Sequence, residues 1–278
     1  MLLQRVLTAV LLVAVLLPAL LADHVLPFAV LTLVMLAAAG WEWARLNGWG
    51  GGRALLLGGA VAVTCGAGWW AGWADAAPMW LWWSAVLAWV LGGGVALRGG
   101  PAAWPHLPQG MRLALGWLIL CVAWLALAAA KQRGVGFVLS ALCVVWAADI
   151  AAYFGGRQFG RRKLAPSISP GKSWEGVWSG MVGVGLLAAA WLAAEASWPM
   201  LGPSVFSRLL ATVGPLGLAA AVVLLCGLSV MGDLLESLAK RAVGAKDSSR
   251  LLPGHGGVLD RVDALLPVLP AVMALASG

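Results

Sequence analysis

Long, uninterrupted runs of apolar residues are the feature that most limits what this sequence can fold into. The runs near 25–46, 112–130 and 136–155 each match the roughly 20 residues that a helix needs to cross a bilayer. The strands of an outer-membrane barrel would instead alternate apolar and polar residues. Apolar residues make up 62% of the chain and charged residues only 10%, which excludes soluble globular and disordered proteins. The sequence therefore predicts an all-α, polytopic helical bundle in a membrane.

Nine apolar runs are predicted to span the membrane. They lie near residues 5–22, 25–46, 54–74, 78–97, 112–130, 136–155, 174–194, 211–232 and 259–277. Because the spans of residues 1–130 contain almost no polar group, we expect this part to be a scaffold. Residues 131–278 are expected to form the catalytic region, with cytoplasmic loops at 156–173 and 233–258.

Lysine and arginine residues test this count, because cytoplasmic loops are enriched in them. If the N-terminus is inside, the other side of the membrane receives Lys131, Arg133 and Arg208. The cytoplasmic side then receives Arg5, Arg45, Arg53, Arg98, Arg112, Arg157, Arg161, Arg162, Lys163, Lys172, Lys240, Arg241, Lys246, Arg250 and Arg261. This asymmetry favours nine spans with a cytoplasmic N-terminus. It also explains the net charge of +7 without a nucleic-acid partner, and none is expected.

An acidic residue inside the sixth span marks the start of the functional region. Asp149 lies deep in that span, where a charged side chain costs at least about 2.5–3.5 kcal/mol to insert. It should face a polar cavity or a partner side chain, with an interhelical hydrogen bond as the structural alternative. The loop at 156–173 carries five cations and ends in Lys172 and Ser173 at the start of the next helix. Free N–H groups there favour phosphate, although a plain basic cytoplasmic loop is the alternative.

A second polar block follows the eighth span. If that helix continues past the membrane, four polar residues form one stripe on it, namely Asp233, Glu236, Ser237 and Lys240. Asp260 and Asp263 form a pair on the opening turn of the last span, and a solvated charged face is the alternative for both groups. Carboxylates from two helices, without His or Cys beside them, suit Mg²⁺, and the cations suit phosphates. This inventory predicts a site at the cytoplasmic interface for phosphoryl or nucleotidyl transfer.

The same block resembles the signature of a known family. It is similar to the phosphatidate cytidylyltransferases, also called CDP-diacylglycerol synthases, in the pattern Ser237-x-x-Lys240-Arg241-x-x-x-x-Lys246-Asp247-x-x-x-x-x-Pro253-x-His255-Gly256-Gly257-x-x-Asp260-Arg261-x-Asp263. The resemblance covers about residues 145–265. It implies a reaction of CTP with phosphatidate that gives CDP-diacylglycerol and pyrophosphate in phospholipid biosynthesis. It further implies dependence on Mg²⁺, with a second cation left open, and a bacterial inner-membrane protein whose active site faces the cytoplasm. A homodimer is also left open.

The resemblance also implies roles for individual residues. Asp233, Lys240, Asp260 and Asp263 are expected to be catalytic. Asp233 and Asp260 would bind the metal, while Glu236 and Asp263 would support it or bind a second cation. The other expected functional residues bind substrate or, in the last case, order the cation site or a substrate hydroxyl: Arg157, Lys172, Ser173, Ser237, Arg241, Lys246, His255, Arg261 and Asp149.

Two other functions fit part of this pattern. A CTP-dependent lipid kinase, acting on a polyprenol or phytol, would use a similar set of residues but move the γ-phosphate. A cation-coupled transporter would also bury Asp149, Asp233 and Asp260 in a bundle. Transporters, however, usually carry polar residues at mid-depth on broken helices in two related halves. The charged residues here crowd to one face and one half of the chain.

Overall fold

The fold is almost entirely helical. The computed structural model describes residues 2–198 and 202–277. It leaves out the side chains at positions 2, 3 and 5, so the side chain of Arg5, one of the cations used to predict the topology, lies outside the described part. Its helices are α1 (Leu2–Leu21), α2 (Val25–Leu46), α3 (Gly51–Trp70), α4 (Trp73–Ala76), α5 (Met79–Leu87), α6 (Gly94–Ala103), α7 (Gln109–Gln132), α8 (Val135–Phe159), α9 (Trp174–Ser197), α10 (Val205–Ala242), α11 (Leu259–Val262) and α12 (Leu265–Ala276). A π-helical turn (Ala88–Gly93) joins α5 to α6, and a 3-10 turn (Trp104–His106) follows α6.

Seven segments of the described residues are helical, long and apolar enough to cross a membrane. They are Val25–Leu46, Gly51–Trp70, Met79–His106, Gln109–Gln132, Val135–Phe159, Trp174–Ser197 and Val205–Ala242. Each overlaps a predicted span, and the first predicted span corresponds to a shorter apolar helix, Val6–Leu21. A helical membrane bundle is therefore confirmed. The count of nine spans and the cytoplasmic N-terminus stay predictions.

The last predicted span, 259–277, is not one continuous helix. It is divided into α11 and α12 at Asp263 and Ala264, where Asp263 Oδ1 accepts a hydrogen bond from the Ala264 N–H (2.8 Å). A local side-chain bond of this kind competes with the helical backbone bonds. A 12-residue helix rises only about 18 Å, against a hydrocarbon core of about 30 Å. Most residues of α12 are buried, and the helix packs against α5, α7, α8 and α10 as part of the core.

The helix α10 extends well beyond the predicted eighth span, 211–232. It runs from Val205 to Ala242 and is kinked at Gly214, which has a φ of 69°. The next residue, Pro215, has no N–H group to donate to the helix. The prediction that this helix continues past the apolar run is confirmed. The continuation carries the polar stripe, so the stripe is held on a regular helix.

The predicted loop 156–173 contains a two-stranded antiparallel hairpin, β1 (Lys163–Ala165) and β2 (Ser169–Ser173). The Ser173 side chain caps α9, because its Oγ accepts a hydrogen bond from the Gly176 N–H (3.2 Å). Glu175 Oε2 accepts another from the Arg161 N–H (3.0 Å). The hairpin is therefore fixed to the start of α9. These strands have no alternating apolar pattern, which is why the sequence predicts only a loop here.

Glycines allow α8 and α9 to pack closely. A Cβ atom at position 183 would lie 2.5 Å from the Cβ of Ala151, and one at position 180 would lie 3.0 Å from the carbonyl oxygen of Ala148. A Cβ atom at position 185 would meet no heavy atom within 4 Å. Gly183 and Gly180 therefore face α8, whereas Gly185 faces open space.

We expect Gly183→Ala to lower the midpoint of thermal unfolding in detergent, measured by circular dichroism. Its methyl group would overlap Ala151 and force the two helices apart, and such overpacking typically costs about 1–3 kcal/mol. Gly185→Ala is the matched control, since it adds the same methyl group in open space and should not lower the midpoint. Equal midpoints for the two variants would contradict the close contact.

Candidate active site

A cavity of about 450 Å³ lies between α8, α9, α10 and the hairpin. Its lining includes the charged and polar residues Asp149, Arg157, Lys172, Ser173 and Asp233. It also includes apolar residues, among them Ala148, Ala152, Val177, Cys226 and Val230. Five predicted site residues from three separate segments therefore meet around one space with a mixed charged and apolar lining.

An ion pair joins the hairpin to α10 in the lining of this cavity. Lys172 Nζ lies 2.6 Å from Asp233 Oδ2, and Asp233 Oδ1 accepts a hydrogen bond from Ser237 Oγ (3.2 Å). The side chains of Lys172 and Asp233 keep 25% and 30% of their surface exposed. The cavity therefore offers a ligand both a cation and an anion that are already oriented.

Three other predicted residues surround this pair. Asp149 and Arg157 lie two turns apart on α8, and both are exposed and line the cavity, which fits the expectation that Asp149 faces a polar cavity. Ser173 is buried, and its hydroxyl already accepts the Gly176 N–H. The cavity therefore contains Arg157 as a second accessible cation, while contacts of Asp149 and Ser173 with substrate stay predictions.

A buried network lies further along α10. Lys240 Nζ forms ion pairs with Glu236 and with Asp260 Oδ1, the second at 2.6 Å. The three side chains expose only 11%, 3% and 8% of their surface in that order, so each charge depends on the others for neutralisation. The polar stripe of α10 and the acidic turn of α11 therefore meet, as the sequence predicts. They meet around a lysine.

The Asp260 carboxylate is enclosed by the loop that precedes it. Asp260 Oδ2 accepts hydrogen bonds from Gly257 N–H (2.7 Å), Ser248 N–H (3.0 Å) and Ser248 Oγ (2.9 Å). The close contact between the loop and this carboxylate requires glycine at position 257, because a Cβ atom there would lie 2.1 Å from Ser248 Oγ. Gly256 has a φ of 83°, which other residues rarely adopt. Asp260 therefore holds the loop in place.

Five predicted substrate-binding residues are not among those that line the cavity, namely Ser237, Arg241, Lys246, His255 and Arg261. Arg241 Nε donates to the carbonyl oxygen of Ile168 in the hairpin (3.4 Å), and Arg261 Nη2 donates to that of His255 (2.6 Å). Lys246 is exposed. Two of these cations therefore stabilise loops in this conformation, and their contact with substrate stays a prediction.

The four carboxylates predicted to bind metal do not converge on one point. Among residues 2–198 and 202–277, no group of three or more His, Cys, Asp or Glu side chains is placed to hold an ion. Glu236 and Asp260 share Lys240, and Asp263 accepts the Ala264 N–H. Asp233 fits a cation best, because its partly exposed carboxylate lines the cavity. Magnesium binding stays a prediction.

A buried glutamate from the first part of the chain contacts the loop beside Asp260, and the sequence patterns did not predict this contact. Glu42 of α2 is 0% exposed and accepts hydrogen bonds from the N–H groups of Val258 (3.0 Å) and Leu259 (2.6 Å). The signal in the sequence is an acidic residue at the end of an apolar run. Such residues also occur as ordinary interfacial charges, so the pattern alone does not separate the two cases.

Comparisons with known proteins show which family this sequence matches. The model of the cytidylyltransferase family matches residues 3–277. A phosphatidate cytidylyltransferase of Pseudomonas aeruginosa is 39% identical over 99% of this chain and 97% of its own length. The chain belongs to this family. Phosphatidate cytidylyltransferases of Haemophilus influenzae and Bacillus subtilis are 43% and 39% identical; each alignment covers 50% of this chain, and 44% and 46% of the relative.

Family membership extends the resemblance seen at residues 145–265 to nearly the whole chain. Within the structure, the predicted site residues divide into two groups. Lys172 and Asp233 line the cavity, whereas Lys240 and Asp260 of the signature pair with each other in a buried network. The role of these two signature residues in the reaction stays a prediction.

Proposed function

We propose that this family member is a phosphatidate cytidylyltransferase, which transfers the cytidylyl group of CTP to phosphatidate. The match to the Pseudomonas aeruginosa relative over almost the full length of both chains carries this proposal. The cavity supports it, because a lipid phosphate needs charged residues for its headgroup and apolar residues for its acyl chains, and both kinds line this space. Such a site is consistent with helices long and apolar enough to span a membrane.

The reaction needs little acid–base help from the protein. A phosphate monoester has a second pKa near 6, so at pH 7 phosphatidate is largely a dianion and already a nucleophile. Its oxygen attacks the α-phosphorus of CTP and forms a new P–O bond. The bond from the α-phosphorus to the bridging oxygen breaks, and pyrophosphate leaves with that electron pair. Catalysis then depends mainly on alignment and charge neutralisation.

Residues of the cavity suit these two tasks. Lys172 and Arg157 place two cations beside the space, where they would neutralise the phosphates of CTP or phosphatidate. The start of α9 offers fewer free donors than the sequence predicts, because the Gly176 N–H donates to Ser173 Oγ and the Trp174 N–H donates to the carbonyl oxygen of Arg162. Asp233 orients Lys172 through their ion pair. We propose that these residues align the two phosphates, with Ser237 fixing the Asp233 carboxylate.

We further propose that turnover requires Mg²⁺, with a second cation left open. Oxygen donors are the ligands that this ion prefers, and the partly exposed Asp233 is the carboxylate of the cavity best placed to hold it. When bound, Mg²⁺ would supply neutralisation of the triphosphate charge. Asp260, Glu236 and Asp263 would support the metal site from the buried network beside α10. Glu236 and Asp260 already pair with Lys240, and Asp263 accepts the Ala264 N–H.

We also propose a location in the bacterial inner membrane with the site facing the cytoplasm. The cations of the hairpin and of the loop after α10 support this orientation, because cytoplasmic loops are enriched in them. The predicted topology, with nine spans and a cytoplasmic N-terminus, would also place these loops in the cytoplasm. Assembly as a homodimer and the absence of a nucleic-acid partner stay predictions.

The test is to incubate purified protein in detergent with phosphatidate, Mg²⁺ and CTP labelled in the α-phosphate. We expect labelled lipid and unlabelled pyrophosphate as products, and loss of both when Mg²⁺ is chelated. CTP labelled in the γ-phosphate should give labelled pyrophosphate and no labelled lipid. Label in the lipid from γ-labelled CTP would identify a lipid kinase instead, and folded protein that labels no lipid would contradict the proposed function.

A further inference from the structure

A buried carboxylate on α2 holds the loop that carries most of the family signature. The two oxygens of Glu42 accept three hydrogen bonds from residues more than 200 positions later in the chain, namely from the Ser249 hydroxyl and from the N–H groups of Val258 and Leu259. The Ser248 hydroxyl lies between the carboxylates of Glu42 and Asp260, which share its single proton. A fully buried charge is costly unless it is hydrogen-bonded in this way, so the glutamate and the loop depend on each other.

Ser248 connects Glu42 to the buried network of α10. Its hydroxyl oxygen lies 3.3 Å from Glu42 Oε2 and 2.9 Å from Asp260 Oδ2. Gly257 packs against the same groups, since a Cβ atom there would lie 2.4 Å from Glu42 Oε1. Asp260 in turn forms an ion pair with Lys240. A continuous set of contacts therefore runs from α2 through the loop to α10.

We propose that Glu42 is a positioning residue for the reaction. It fixes the loop from Ser248 to Val258, and through that loop Asp260 and Lys240, without contacting substrate. Two observations support this role: Glu42 is not among the residues that line the cavity, and its carboxylate oxygens face protein donors. The effect on turnover rests on the proposed function, whereas the effect on the loop does not.

The test uses Glu42→Gln, which keeps the size of the side chain but replaces one acceptor oxygen by an NH₂ group that faces N–H and O–H donors. Trypsin cleavage after Arg250, which is exposed in this loop, should become about tenfold faster or more, because the loop opens more often. Cleavage after the exposed Arg162, which directly precedes the hairpin, should stay unchanged as an internal reference. Glu195→Gln, near the far end of α9, is the matched control and should be cleaved like the wild-type protein.

Kinetics separate positioning from general destabilisation. Measured per folded molecule, the kcat of Glu42→Gln should fall by about 10- to 100-fold, with the KM for CTP little changed. Glu42→Asp keeps both acceptor oxygens on a shorter side chain, so it should restore part of the kcat and part of the protection of Arg250. Loss of folded protein alone would lower the yield and the unfolding midpoint without this change in kcat.

Folded Glu42→Gln with wild-type cleavage after Arg250 and wild-type kcat would overturn the proposal. If that variant does not fold, Glu42→Asp decides, because it keeps both acceptor oxygens but draws them back from the donors of the loop and leaves the loop sequence unchanged. Cleavage after Arg250 that is faster than in the wild-type protein supports the proposal, and unchanged cleavage overturns it. If the wild-type protein labels no lipid, the proposed function fails, while the cleavage experiment still tests the role of Glu42.

Discussion

Asp233→Asn is expected to lower turnover by about 10²- to 10³-fold while leaving the protein folded. Asp233 lines the cavity with a partly exposed carboxylate that is paired with Lys172. Asn keeps the size of the side chain and can still accept the Ser237 hydroxyl, so the local structure should survive. The charge that orients Lys172, and that is best placed to hold a cation, is removed. Turnover is measured as labelled lipid formed from α-labelled CTP.

The matched control for this substitution is Asp75→Asn, an exposed aspartate of α4. It removes the same charge away from the cavity and should keep wild-type turnover. The ion pair of Asp233 is partly exposed, so its loss should change the unfolding free energy by less than about 1 kcal/mol. An Asp233→Asn protein with near wild-type turnover would show that the cavity is not the site of reaction.

Lys240→Met is expected to lower the free energy of unfolding by about 3–5 kcal/mol. The substitution leaves Glu236 and Asp260 buried without the lysine that neutralises them. The cost comes from these uncompensated carboxylates, because methionine fills much of the same volume. Unfolding in detergent is followed by the fluorescence of the 18 tryptophans.

Two further variants isolate the cause. Adding Glu236→Gln to Lys240→Met removes one orphaned charge and should recover part of the lost stability. Lys163→Met, at an exposed position of β1, removes a lysine from the surface and should stay within about 0.5 kcal/mol of the wild-type value. If Lys240→Met is as stable as Lys163→Met, the buried network does not hold these helices together.

Local patterns in the sequence were sufficient for the helices and for the polar stripe. A backbone in a bilayer must satisfy its hydrogen bonds internally, so a continuous apolar run predicts a helix without knowledge of its neighbours. The stripe from Asp233 to Lys240 follows equally from helical spacing, and its contacts are seen between Ser237 and Asp233 and between Lys240 and Glu236. Both predictions depend on residues close in sequence.

Features that depend on contacts between distant segments of the chain could not be predicted from local patterns. The hairpin at 163–173 is held by its contacts with α9 and α10. The last span is interrupted at Asp263, where that side chain accepts the Ala264 N–H and Pro267 has no N–H to donate to the Asp263 carbonyl. The sequence likewise groups four carboxylates as metal ligands. The fold instead places Asp233 on the cavity and encloses Asp260 in the loop.

The sequence by itself determined that this chain is a helical membrane protein of the cytidylyltransferase family, because hydropathy, helical spacing and the signature are properties of neighbouring residues. Tertiary structure alone decided which polar residues line the cavity and which contact one another. Glu42 shows the reason most clearly. Its partners lie more than 200 residues away, and they reach it only because α2 packs beside the loop and α11, a contact that no local pattern encodes.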